Sequence, residues 1–154
     1  MGLLSLLFGN KKESASDVLQ KNQKKFEIFK YDGMRAWRMG RIDYAIKCFK
    51  EALALENDFE TMGYLAQTYQ QTNQLDAARE LYDQMHEMEP EHIITLINLA
   101  NVCYMQEDYL AMEKTAKKVI DTEQDNAMAH YLLGKAVDGQ GNDIMSIAHL
   151  TKAI

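Results

Sequence analysis

The residues best equipped for chemistry are four histidines, two cysteines and 23 carboxylates, and their spacing sets up no reaction. His86, His92, His130 and His149 form no HExxH or comparable ligand pair. A single histidine on a helix is expected to be a packing or surface residue. Cys48 and Cys103 lie far apart with no CxxC pair, so two free thiols in a reducing compartment are expected, each serving as a small apolar side chain. There is no G-x-S-x-G elbow, phosphate-binding loop or dinucleotide glycine fingerprint. The Asp and Glu residues read as solvated helix faces, with no pair marked as sharing a buried site. The expectation is a non-enzyme, with no catalytic residues, no metal site and no cofactor.

The elements around these residues are predicted to be helical throughout. One proline in 154 residues, 8 glycines and many straight-chain side chains predict an all-α class and one domain. The formal charge of −6 opposes general binding to nucleic acid. Residues 1–25 form a tail of net charge +3. Its apolar run, Leu3, Leu4, Leu6, Leu7 and Phe8, is too short for a secretory signal or spanning helix and is followed by Lys11 and Lys12 instead of preceded by lysines. A cytoplasmic location is expected. Residues 1–12 read as a frayed terminus or as a contact with a membrane surface or partner groove. Ser14 and Ser16 are candidate N-caps for an additional helix, or an extension of the first one, running through Val18 and Leu19.

A small residue recurs at Gly33, Ala66, Ala100 and Gly134, with separations of 33, 34 and 34 residues. Each sits within an apolar stripe of helical period, such as Met62, Leu65, Ala66 and Tyr69. A polar break follows each (Met39–Arg41, Thr72–Gln74, Gln106–Asp108, Gln140–Asn142), and then a second stripe such as Ile42, Ala45, Ile46, Phe49, Ala52 and Leu53. Four helical hairpins are predicted, over about 26–58, 59–92, 93–126 and 127–154. The small column lets two antiparallel helices approach closely.

These residues resemble the tetratricopeptide repeat family over Phe26 to Ile154. The best-preserved positions are Gly33, Gly40, Ala45, Phe49 and Ala52 in the first unit, and Leu65, Ala66, Tyr69, Ala78, Tyr82 and Pro90 in the second. The third unit exchanges the expected Ala and aromatic for Met112 and Ala116, a volume-compensating swap. The fourth has Ser146 and Leu150 in its second helix, with no solvating helix after it. Asp32 occupies a column that reads Leu65, Leu99 and Leu133 elsewhere, so that end of the stack is expected to be open to water or covered by the preceding segment. The resemblance implies a right-handed superhelical stack of antiparallel helix hairpins, whose first helices line a concave groove.

The groove implied in this way is lined by Lys30, Met34, Trp37 and Arg38 in the first unit and by Gln67, Gln70 and Gln71 in the second. The third contributes Ile97, Asn101, Tyr104 and Met105, and the fourth Tyr131, Lys135 and Asp138. Aromatic and methionine area beside amides suits an extended peptide; Trp37 and Tyr104 either face the groove or complete the packing between helices. The carboxylate clamp of some chaperone-binding members is expected to be absent, because Met34 and Tyr64 stand where its two Asn residues would be. The reading is a protein-interaction scaffold that binds a peptide or protein segment. The alternatives are a small acidic chaperone shielding a secreted or membrane-associated client, or a homo-oligomer assembled through the uncapped terminus around Val137, Ile144 and Ile147.

Overall fold

A computed structural model describes residues 13–141 and 143–154, without the side chains of Asp143, Ile144 and Ser146. The contacts expected of residues 1–12, and those expected of Ile144 and Ser146, lie outside the described residues. Among the described residues eight helices follow one another: α1 (Ala15–Arg38), α2 (Ile42–Leu55), α3 (Phe59–Gln71), α4 (Leu75–Met88), α5 (Ile93–Met105), α6 (Tyr109–Thr122), α7 (Ala127–Gly139) and α8 (Asp143–Ala153). They pair as four hairpins, α1–α2 to α7–α8, and each hairpin packs on the next through its second helix.

Capping explains why α1 is the longest helix. The other first helices start at Asp58, His92 and Asn126, whose side chains accept the amides of Thr61, Thr95 and Ala129. The equivalent position before α1 is Lys25, which has no acceptor, so the helix continues back to Ser14. There Ser14 and Asp17 form a reciprocal capping box.

Each hairpin turns on one residue of positive φ: Gly40 (72°), Asn73 (59°), Glu107 (58°) and Gly141 (79°). In the first three, the next amide reaches back to a helix carbonyl, Ala36, Tyr69 or Cys103, at 2.8–2.9 Å, which closes the helix end.

The core runs along the seam between the two helix layers. Ala45, Phe49, Ala52, Ala66, Ala78, Ala100, Met112 and Ala116 are fully buried. A Cβ on Gly33 would lie 2.6 Å from Phe49 Cε1, and one on Gly134 would lie 2.6 Å from Leu150 Cγ, so both units need glycine where their helices cross. Met112 and Ala116 share one cluster with Tyr82 and Leu133. Both cysteines are free and buried.

The first hairpin has a wet outer face. Ile28 is 58% exposed where Thr61, Thr95 and Ala129 are buried, and Arg35 is exposed where Thr68, Val102 and Ala136 are buried. Asp32 is half-buried with Arg35 3.9 Å away, so water reaches it and it lies outside the core column. At the other end Val137 of α7 is buried in the core cluster that holds Cys103 and Met112, which removes it from the surface expected for self-association, whereas Ile147 is 65% exposed.

Candidate partner-binding groove

Curvature follows from which helices touch. α1 contacts α3 and α5 contacts α7, while the second helices make no comparable contact with one another. At those two places the first helices are the closer layer, which fits the inner face that the repeat resemblance assigns to them.

At the α1 end, Lys30 is committed to structure. Its ammonium lies 2.9 Å from Asp58 and 2.6 Å from Glu60. Burial opposes the charge on Lys30, but the hydrogen bonds to Glu60 and Asp58 outweigh it and raise the pKa. Met34 is half-buried and, like Trp37 and Tyr64, packs against the cluster of Ala36, Ala45, Phe49 and Leu65. Trp37 completes the packing between α1 and α3: its ring leans on Tyr64 at 6.4 Å, and its indole N–H donates to Gln71 Oε1 at 3.0 Å. Arg38 is exposed.

The middle is a row of amides. Gln70 accepts from the buried Tyr82 hydroxyl at 3.3 Å and turns its NH₂ to Met105 Sδ at 3.6 Å. Gln67, Gln70, Gln71 and Met105 surround one shallow depression. Asn101 is half-buried, and Ile97 packs partly into the core.

At the α7 end, Lys135 stands between two rings, 4.3 Å from the centroid of Tyr104 and 5.4 Å from that of Tyr131. Interactions with the Tyr104 and then the Tyr131 hydroxyls raise its pKa against a smaller opposing effect of burial. Tyr104 also leans on Tyr109, at 6.3 Å. Tyr131 and Asp138 are exposed.

Of the residues around a cavity of about 290 Å³ between α3 and α5, sequence reasoning placed only Gln67 in the groove and missed the others. Gly63, Tyr64 and Gln67 line one wall, Ile94, Thr95 and Asn98 the other, and Tyr82 and Met85 of α4 the floor. Phe59, Glu60 and His92 complete it, with Phe59 edge-on to His92 at 5.0 Å. Repeat spacing places Gly63 in register with Lys30, Ile97 and Tyr131. That register is the signal that could have found it. Tyr64 stacks on Phe49 at 5.8 Å and donates to Glu60 at 3.1 Å. Among the described residues no three His, Cys, Asp or Glu side chains converge as a metal site.

Comparisons with known proteins agree with this architecture. Residues 61–92 match the family model of the tetratricopeptide repeat. No curated protein matches the chain. Among solved structures, a MamA RS-1 ArsTM double mutant is 24% identical with a TM-score of 0.78, over 84% of this chain and 73% of that one. MamA 41-end from Desulfovibrio magneticus RS-1 is 22% identical with a TM-score of 0.77, over the same shares. Another MamA crystal structure is 17% identical with a TM-score of 0.78, over 90% of this chain and 76% of that one. At these identities the likeness is one of fold. The second unit is a tetratricopeptide repeat, and the all-α stack of hairpins expected from the sequence is the fold found.

Proposed function

Starting from an array of tetratricopeptide-type hairpins, we propose that its inner face holds a segment of a partner protein, in a reducing, cytoplasmic setting and without catalysis. One observation carries this reading. From Trp37 to Tyr131 the inner face offers aromatic, methionine and amide side chains, while α3 and α5 contribute a single charged side chain to it, Glu60, already paired with Lys30. Such a surface gives contact area through the rings and thioethers and direction through the amides. Two buried free thiols support the setting, and among the described residues no helix is long and apolar enough to cross a membrane.

The test is affinity capture with the wild-type chain, followed by titration of the captured partner with Trp37→Ala and Tyr104→Ala. A hot-spot loss of about 2 kcal/mol or more is expected for at least one of them. Equal affinity for all three proteins would sink the groove reading.

A second reading, self-association, rests on Ile147. Its repeat equivalents Arg79 and Glu113 engage the following hairpin, through Gln106 and Asp108 and through Gln140 respectively. Ile147 has the same place on α8 and is 65% exposed. Sedimentation at high concentration should show oligomers that Ile147→Glu dissolves; a wild-type chain that stays monomeric would rule this out.

A further inference from the structure

We infer that the cavity beside Gly63 is a side-chain socket for one large uncharged residue, Leu, Met or Phe, of a polypeptide lying in the groove; this deepens the groove reading and rests on it.

The first argument is that α3 has no other use for a glycine at this place. Gly33, Gly134 and Gly139 are required by close neighbours, since a Cβ on any of them would come within 2.6 Å of a side-chain atom. Gly40 and Gly141 are required by positive φ. Gly63 has neither reason. Its φ is not in the left-handed region, and a Cβ there would meet only Met85 Cε, at 3.4 Å. A glycine inside a helix costs about 1 kcal/mol relative to alanine, so α3 bears that cost with no compensating contact inside the chain.

The second argument is the spacing of the helices. α1 touches α3 and α5 touches α7, but α3 and α5 make no comparable contact, and the cavity occupies the gap. In the neighbouring units the same register holds the long side chains Lys30, Ile97 and Tyr131.

The third argument is chemical complementarity. The floor is apolar, made by the buried Met85 and the ring of Tyr82. The one carboxylate at the rim, Glu60, is occupied on both oxygens, by Lys30 and by the Tyr64 hydroxyl. A charged side chain would lose its hydration there without gaining a counter-ion. Gln67 of α3 and Asn98 of α5 both line the cavity and supply donors and acceptors for the backbone on either side of an inserted residue. At about 290 Å³ the socket lies at the lower edge of the roughly 300–1,000 Å³ of small-molecule sites, which suits one side chain and little more.

The probes are N-acetyl amino-acid N-methylamides of Leu, Phe, Lys and Glu, titrated into the full chain while the Met85 methyl and Gly63 amide signals are followed by NMR. The Leu and Phe compounds should shift both signals saturably in the millimolar range, and the Lys and Glu compounds should not. Gly63→Leu should abolish the shift of Met85, whereas Gly63→Ala, which leaves the socket open, should retain it; thermal melts verify that both variants fold. Absence of a saturable shift, equal response to all four compounds, or a response that survives Gly63→Leu would overturn the socket. The two readings can fail separately. A captured partner that is lost on Trp37→Ala yet indifferent to Gly63→Leu leaves the groove standing and removes the socket. A Met85 response beside unchanged partner binding by both groove variants removes the groove as the partner's site.

Discussion

Lys30 of α1 places its ammonium 2.9 Å from Asp58, the residue whose carboxylate caps α3. That carboxylate also accepts from the backbone N–H of Thr61 at 2.8 Å and from its hydroxyl at 2.6 Å. One side chain therefore starts a helix and fastens the hairpin before it.

Stability should depend on pH through this pair. Burial favours the neutral acid on Asp58, but the hydrogen bonds from Thr61 and Lys30 outweigh it and hold its pKa below the ordinary 3.8. Lys30 is held above the ordinary 10.5. A lowered carboxylate gives stability that is present above its ordinary value and lost as pH falls through its folded value; a raised lysine gives stability that is complete below its ordinary value and lost as pH rises through its folded value. Melting temperature should thus drop below about pH 4 and above about pH 10.5. Asp58→Ala should cost about 1–2 kcal/mol near neutral pH by denaturant titration and flatten the acid limb. A variant as stable as wild type would refute the cap's role.

The exchanged pair in the third unit predicts strong coupling. Met112 and Ala116 are both fully buried in one cluster. Met112→Ala alone should cost about 2–4 kcal/mol by cavity formation, and Ala116→Phe alone about 1–3 kcal/mol by overpacking. The double variant should be more stable than the sum of the two losses predicts. Simple additivity in urea melts would show that the two sites do not share volume.

Turn residues give predictions of opposite sign in the first and third units. Glu107 holds a φ of 58° that glycine adopts without strain. Glu107→Gly should therefore raise stability by up to about 1 kcal/mol. Gly40→Ala should lower it by about 1–2 kcal/mol, and purely through the backbone, because a Cβ there meets nothing within 4 Å. Calorimetry that ranks the two variants the other way would contradict this account.

Thiol reactivity should report opening of the stack. Cys48 and Cys103 are 3% and 1% exposed. Burial, the largest influence, raises the Cys103 pKa, and Arg79 only partly offsets it. Ellman's reagent should leave both unmodified in the native chain and label both in denaturant. Rapid labelling of the native protein would mean that the core opens locally.

The fold was legible because the small column, the polar breaks and the apolar stripes keep one spacing over four units, and helix packing tolerates few residues at those places. The site was less so. Lys30 read as a free groove charge because its partners Asp58 and Glu60 lie 28 and 30 residues away, across a hairpin. Val137 read as open surface because nothing in its own helix announces that it joins a core built with Cys103 and Met112 of the hairpin before it. Gly63 escaped notice because a pattern search weighs side chains that are present, whereas a socket is made by one that is missing.

Between Ile93 and Met105, α5 carries no Asp, Glu, Lys, Arg or His, while Asp76, Glu80, Asp83 and Glu87 stand exposed on α4. The middle of the inner face therefore exerts little long-range pull, its charges standing at the two ends, Arg38 on α1 and Lys135 and Asp138 on α7. On the proposed reading, a partner docking there should associate at the roughly 10⁵–10⁶ M⁻¹ s⁻¹ of an unsteered encounter, with residence time set by fit and little response to ionic strength. The acidic outer side responds in the opposite way: it repels other acidic macromolecules at low salt and loses that influence as salt rises.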